Sequence, residues 1–210
     1  MKIAIVGAGN VGGTLGKGWA KAGHEVVFGV RDSSDPKLKE LLAAAGAKAK
    51  TATVGDAAAS ADLIALTVPW SAAEDAVKAA GDLTGKILLD CTNPLKPDLS
   101  GLTHASNTSG GEQVAAWAKG ARVVKIFNTT GAGNMASPAY PEGPSVMLYC
   151  GDDSAAKKTA AQLAADLGFE PYDLGPLHEA PLLEPLALTW IHLAVFQKLG
   201  TDFAFRLMKR

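Results

Sequence analysis

Lys2-Ile3-Ala4-Ile5-Val6-Gly7-Ala8-Gly9-Asn10-Val11-Gly12 opens the chain, and the fold follows from how these residues divide. Lys2 to Val6 is a short apolar, β-branched run. Gly7 to Gly13 turns the chain into a helical stretch that ends near Gly23-His24. Strand, tight turn and helix in that order put G-x-G-x-x-G in the context that makes the pattern informative. The first glycine permits the turn, the second lets backbone approach a pyrophosphate, and the third lets the helix sit close to the sheet. Amides of Asn10 and Val11 then face phosphate oxygens at the positive end of the helix dipole. Glycines used only to turn the chain would carry no chemistry, but the flanking strand and helix favour a dinucleotide site. Gly7, Ala8, Gly9, Asn10, Val11 and Gly12 are therefore the first candidate cofactor-binding residues.

Working outward, Glu25 to Gly29 reads as the second strand. Asp35-Pro36 is an N-cap followed by proline at the first helical position, starting a helix to about Ala45. Thr53 to Ala59 reads as a short helix. Leu63 to Val68 and Ile87 to Asp90 are apolar runs of the kind required of parallel strands buried on both faces. Ser109-Gly-Gly-Glu112 matches a capping box ahead of an alanine-rich helix, and Arg122 to Phe127 supplies a sixth strand. Ser145 to Cys150 and Phe169 to Leu174 flank a helical run, Ser154 to Leu167, before an apolar tail. This alternation predicts a Rossmann-type doubly wound parallel sheet, α/β in class. Residues 1–136 form the dinucleotide-binding domain in this reading, and 137–210 a small C-terminal α/β extension with a helical tail.

Composition bounds the function. With 48% hydrophobic and 20% charged residues over 210 positions, the chain matches ordinary globular proteins and has room for one main core. A formal net charge of -1 offers no long-range field to a polyanion, so nucleic acid and anionic membranes are poor partners. Cys91 and Cys150 belong to no paired metal or redox spacing and read as buried thiols in a reducing cytoplasm. His24, His104, His178 and His192 show no ligand spacing, so no metal is expected. The N-terminus lacks the apolar core of a signal peptide. The segment Pro181 to Leu199 is interrupted by Glu184, Pro185, His192, Gln197 and Lys198, which suits a buried helix better than a membrane span. The leucines and aromatics from Leu182 to Leu207 exceed what one small domain covers, so a homodimer through this tail is expected, a helix packed wholly on its own sheet being the alternative.

NAD-binding proteins place an acid at the end of the second strand to accept from the ribose 2′-hydroxyl. Here the residues are Gly29-Val30-Arg31. A guanidinium can pair with a 2′-phosphate in a fork and stack on adenine, with Ser33, Ser34 and Lys37 as further donors. The competing reading is a solvated Arg31 paired with Asp32. Thr67-Val68-Pro69-Trp70, Cys91-Thr92-Asn93-Pro94 and Asn128-Thr129-Thr130-Gly131 follow the fourth, fifth and sixth strands, where loops line the ligand crevice. Trp70 either touches the ligand or seats the next helix, and Asn93, Asn128 and Thr129 either contact an acceptor or fill turns. No Ser-His-Asp set stands out, nor any obvious proton donor for a carbonyl. Such a site suits hydride transfer to an acceptor that delocalises charge, which needs orientation more than a strong protein acid.

Taken together, Gly-Ala-Gly-Asn-Val-Gly, Gly29-Val30-Arg31, Thr67-Val68-Pro69-Trp70, Tyr149-Cys150-Gly151-Asp152-Asp153 and Asp173-Leu174-Gly175-Pro176-Leu177 resemble the coenzyme F-420-dependent NADP oxidoreductases over almost the whole length. The resemblance implies NADP as cofactor, with Ala8, Gly9, Asn10 and Val11 at the pyrophosphate and Val30 and Arg31 at the 2′-phosphate. It puts Trp70, beside Pro69, and Ala132 at the nicotinamide half. It also implies hydride exchange with a small-molecule deazaflavin or flavin-type acceptor. Two positions depart from the pattern: deazaflavin-using members tend to carry serine at the position of Val30 and histidine at that of Asn128. The soluble reductase domain of membrane ferric reductases is similar too, with an Asn-Thr pair in this loop. A nucleotide-binding regulatory protein without turnover is the reading from another class. An imine or 3-hydroxyacid reductase would need a long helical substrate domain for which 210 residues leave little room.

Overall fold

The computed structural model describes residues 1–104 and 108–210. Its first strand, β1 (Lys2–Val6), is covered on both faces. Ile3 and Ile5 pack in one cluster with Leu15, Trp19 and Phe28, while Ala4 and Val6 pack in another with Val27, Ile64 and Leu66. Alternate side chains of a strand point to opposite faces, so a strand clothed twice has to be apolar throughout. After it come α1 (Asn10–Lys21), β2 (Glu25–Val30), α2 (Pro36–Ala45), β3 (Ala49–Thr53), α3 (Val54–Ala59), β4 (Leu63–Leu66), α4 (Ala73–Ala80), β5 (Ile87–Asp90), α5 (Gly110–Trp117) and β6 (Arg122–Lys125). These six strands pair in parallel in the order β3-β2-β1-β4-β5-β6. The order reverses between β1 and β4, so the loops at their carboxyl ends diverge and open a crevice there.

Half of the α-helix starts among the described residues carry a side-chain cap. Asp35 accepts from the Lys37 amide at 2.9 Å with Pro36 at the first helical position. Thr53 and Asp153 cap α3 and α7 (Ser154–Asp166) in the same manner. Ser109 accepts from the Glu112 amide at 3.1 Å and donates its own hydroxyl hydrogen to the Glu112 carboxylate at 2.9 Å. The pair expected from the spacing is therefore joined, although the carboxylate takes the serine hydroxyl.

The C-terminal third contains α6 (Ala132–Ala136), β7 (Ala139–Tyr140), β8 (Gly143–Pro144), β9 (Val146–Gly151), β10 (Glu170–Asp173) and α8 (Ala180–Ile191), with α7 between β9 and β10. Strand β9 joins the main sheet antiparallel to β6, through Val124 opposite Gly151 and Lys125 opposite Cys150, and β10 pairs with β9 in parallel. The result is a mostly parallel eight-stranded Rossmann sheet with one antiparallel junction. A parallel return needs a long crossover. The five-residue α6 and the small β7–β8 hairpin do not carry the chain back, so β9 starts where β6 ends and runs the other way.

Two further details differ from expectation. Strand β3, which the pattern alone does not single out, is a half-exposed edge strand of Ala, Lys and Thr with weak alternation. The tail is helical only to Phe196, α8 continuing through a π-turn, His192–Phe196. Beyond it Lys198 and Gly200 adopt positive φ, 57° and 80°, and the chain turns back so that Phe203 stacks on Trp190 at 5.2 Å and the Phe205 carbonyl accepts from the Val146 amide at 3.0 Å. Both cysteines are buried free thiols, and burial pushes Cys150 up to about 12 and Cys91 well above its ordinary value. No helix among the described residues is long and apolar enough to cross a membrane.

Candidate active site at the switch point

The glycine turn between β1 and α1 owes its shape to contacts that leave no room for side chains. Gly7 has a φ of 102°, and a Cβ there would stand 2.8 Å from Val68 Cγ1. A Cβ on Gly12 would stand 2.0 Å from the Gly7 carbonyl oxygen and 2.4 Å from Thr67 Oγ1. That hydroxyl lies 3.0 Å from the Val6 carbonyl oxygen and 2.8 Å from that of Gly7, tying the end of β4 to the turn. Gly9 is exposed, and a Cβ on it would meet nothing within 4 Å. Asp35, Thr53, Ser109 and Asp153 cap their helices, while α1 starts at Gly9 with no side-chain cap and no acid in its first turn, a start it shares with α6 and α8. Its first amides point out of the turn with the positive end of the helix dipole behind them, which is the donor set a pyrophosphate requires.

One strand over, β2 ends at half-buried Val30, followed by exposed Arg31 and Ser33. No ion pair joins Arg31 to Asp32 among the described residues. The Asp32 carboxylate instead accepts from the Ser34 hydroxyl at 2.6 Å and the Ser34 amide at 2.8 Å, which hold it below the usual carboxylate range. The acid beside Arg31 is thus engaged in its own turn, leaving the guanidinium at the surface next to the crevice.

The other rim is more tightly built. Pro69 is exposed, while half-buried Trp70 packs on Trp117 at 5.2 Å and meets the edge of His104 at 6.0 Å, so it serves as helix seat and rim residue together. Asn93 donates to the Asn128 carbonyl at 2.7 Å, and Asn128 donates to Asn93 Oδ1 at 3.0 Å. The loops after β5 and β6 are therefore mutually locked. Asn128 and Thr129 are each 4% exposed, and Asn128 Oδ1 has no hydrogen-bond partner among the described residues. Ala132 is the first residue of α6, behind Gly131, whose Cα faces the Trp190 ring so closely that a Cβ would stand 2.6 Å from it. Glycine turn, β2 end and the loops after β4, β5 and β6 all lie along the carboxyl edge of the same parallel strands.

Sequence reasoning missed a set of buried charges under this rim: Asp90, Lys125 and Glu184, each 0–1% exposed, with His104 against them. The signal was present as a lysine inside Val123-Val124-Lys125-Ile126-Phe127 and a glutamate inside an apolar helix, residues almost never buried unless paired.

Comparison with known proteins agrees with this architecture. Residues 2–94 match the family model described as NADP oxidoreductase, coenzyme F420-dependent. The chain is 30% identical over 209 residues to the F420-dependent NADP reductase of Methanothermobacter thermautotrophicus, covering 93% of this chain and 90% of that protein. The chain belongs to the coenzyme F420-dependent NADP oxidoreductase family. It is therefore an NADP-dependent oxidoreductase. A crystal structure described as a candidate F420-dependent NADP reductase from Arthrobacter sp. FB24 superposes with a TM-score of 0.89 at 33% identity, each chain covered completely. The metalloreductase STEAP3 of Rattus norvegicus is 30% identical over 188 residues, 89% of this chain, which spans 36% of STEAP3's length.

The second and third glycines of the motif should separate in a thermal unfolding experiment. Gly12→Ala drives a methyl into backbone and is expected to cost about 3 kcal/mol or more, the upper end for overpacking. Gly9→Ala enters open space at a φ of -76° and should cost less than about 1 kcal/mol, the scale of an N-cap change. Equal losses would show that the turn is not packed as described.

Proposed function

We propose that NADPH lies across the switch point and that the protein transfers a hydride from it to a deazaflavin or flavin-type acceptor held against the loops after β4, β5 and β6. The observation carrying this reading is the uncapped start of α1 at the crevice, with Arg31 one strand away and its neighbouring acid turned to Ser34. Gly7, Ala8, Gly9, Asn10, Val11 and Gly12 hold the pyrophosphate through backbone amides, and Val30, Arg31 and Ser33 the 2′-phosphate end. Pro69, Trp70 and Ala132 border the nicotinamide half. When bound, NADPH supplies the hydride. The chain's own part is orientation and exclusion of water: Trp70 walls the crevice, and the locked Asn93–Asn128 pair presents a rigid polar edge, with Thr129 in the wall behind it. Asn128 Oδ1 is itself buried, so Asn128 serves the edge through its bonds to Asn93 and the Leu183 carbonyl, which hold the loop after β6 in place.

We also propose a cytoplasmic homodimer. Leu182, Val195, Phe196, Leu199 and Leu207 are 46–60% exposed along α8 and the tail, apolar surface that a second copy would cover. Light scattering at micromolar concentration should report twice the 21.5 kDa chain mass, and a monomer would overturn the assignment.

Arg31→Ala tests the cofactor half. A charge-assisted bidentate contact is worth about 1.5–3 kcal/mol, so NADPH affinity should fall roughly 10- to 150-fold. NADH lacks the 2′-phosphate, and its affinity should change only a few-fold through lost stacking on adenine. Titration of both nucleotides decides: equal losses, or none, would mean that Arg31 does not read the phosphate.

For the acceptor half, NADPH oxidation is followed with coenzyme F420, FMN and a ferric complex as competing acceptors. Asn128→Ala and Trp70→Ala should each lower kcat/KM for the best of them by about tenfold, the scale of one lost hydrogen bond or stacking contact. Unchanged rates in both variants would remove the acceptor from this rim. A preference for the ferric complex would assign the metalloreductase chemistry of STEAP3 instead.

A further inference from the structure

The buried charges beneath the rim form one connected cluster. Lys125 Nζ donates to Asp90 Oδ2 at 2.9 Å and to the Thr92 carbonyl at 2.7 Å, and lies 3.0 Å from Glu184 Oε1. The second Asp90 oxygen accepts from the Thr92 amide at 2.9 Å and the Thr92 hydroxyl at 2.7 Å. Glu184 Oε1 also accepts from the Gly111 amide at 3.1 Å. Its Oε2 takes the Gly110 amide at 3.1 Å and faces His104 Nε2 at 3.2 Å. One ammonium and two carboxylates leave a net negative charge, which the first amides of α5 offset. Burial alone would push the Lys125 ammonium down, but Asp90 and Glu184 outweigh it and hold the group above its ordinary value.

Stability does not explain such a cluster, because apolar residues of similar volume in place of a buried ion pair are often neutral or better. What the cluster supplies is a single arrangement of four segments: the ends of β5 and β6, the start of α5 and the middle of α8. Those segments carry the rim. Next to Glu184, the Leu183 carbonyl accepts from Asn128 Nδ2 at 3.3 Å, and Asn128 is paired with Asn93 in the loop that Asp90 and Thr92 begin. Between Lys125 and Asn128, buried Phe127 adopts a φ of 61°. An aromatic residue in the left-handed region persists only where its surroundings over-determine it, and here Lys125 anchors the chain two residues before and Asn128 one residue after.

We propose that Lys125 and Glu184 are positioning residues: their buried ion pair sets the spacing between the Cys91–Asn93 and Phe127–Thr129 loops, and so the placement of the acceptor against the cofactor. The proposal deepens the reading of Asn93 and Asn128 as the acceptor edge and rests on it. Neither residue is assigned contact with substrate or cofactor, and the glycine turn lies outside the cluster.

Glu184→Gln keeps the shape and removes the charge. It should leave the NADPH dissociation constant within about threefold, lower kcat for the best acceptor at least tenfold, and speed amide hydrogen exchange in 91–95 and 126–131 while 7–13 exchanges as in the parent. The combination K125M, D90N and E184Q removes every charge of the core and carries the test if the single variant does not fold. It should regain the parent's melting temperature without regaining kcat. Recovery of both, or an unchanged kcat in Glu184→Gln, would make the cluster a stability element and overturn the proposal. If the parent reduces none of the acceptors offered, the acceptor reading fails by itself. Exchange then judges the cluster alone: faster exchange confined to the two rim segments supports it, and uniform or absent change overturns it.

Discussion

Helix α1 reaches the carboxyl ends of β1 and β4 because Gly12 has no side chain. With 2.0 Å between a would-be Cβ and the Gly7 carbonyl oxygen, helix, turn and β4 loop meet backbone to backbone, and the Thr67 hydroxyl bridges what remains. The consequences run outward from that contact. The helix amides arrive at the point where strand order reverses, so the positive end of α1 opens into the crevice and not against protein. Uncapped amides at a buried helix end would be a liability. Under the proposed function they are the binding chemistry at the crevice, and the absence of a capping side chain at Gly9 fits that role.

The two halves of the crevice use different physics. On the proposed cofactor side the donors are backbone groups whose direction is set by a tight turn and a rigid helix, so the side chains there matter mainly by being small. On the proposed acceptor side geometry comes from side chains, the Asn93–Asn128 exchange above and the Asp90–Lys125–Glu184 cluster below. Loops joining strands to irregular segments have no helix axis to stiffen them, and buried polar bonds, directional and costly to break, take over that task. The antiparallel entry of β9 belongs to the same arrangement, since it sets buried Cys150 directly opposite Lys125 in the sheet.

The returning C-terminal segment reinforces the loop after β6 from behind. Trp190 lies on Gly131, Phe203 stacks on Trp190, and Asn134 donates to both Thr130 Oγ1 and the Phe203 carbonyl. A segment without regular structure thus contributes through two ring faces and a few backbone groups, while its leucines remain at the surface.

How much was legible in the sequence depended on the range of the physics involved. The glycine motif, the β-branched runs, the Asp35-Pro36 and Ser109–Glu112 caps and the Arg31 position are all local, with cause and effect within about one turn or one strand; they determined the Rossmann class and pointed to the cofactor end proposed for the site. Strand β3 was not legible because an edge strand buries too little to need an apolar pattern. The antiparallel β9, the turned-back tail and the burial of Thr129 depend on where distant segments come to lie. Lys125 and Glu184 make the same point most sharply. They are 59 positions apart, and each by itself reads as a misplaced charge in an apolar run. Only the folded chain puts the ammonium against two carboxylates and a helix start, because a buried charge is tolerable only beside a partner, and the choice of partner belongs to tertiary structure.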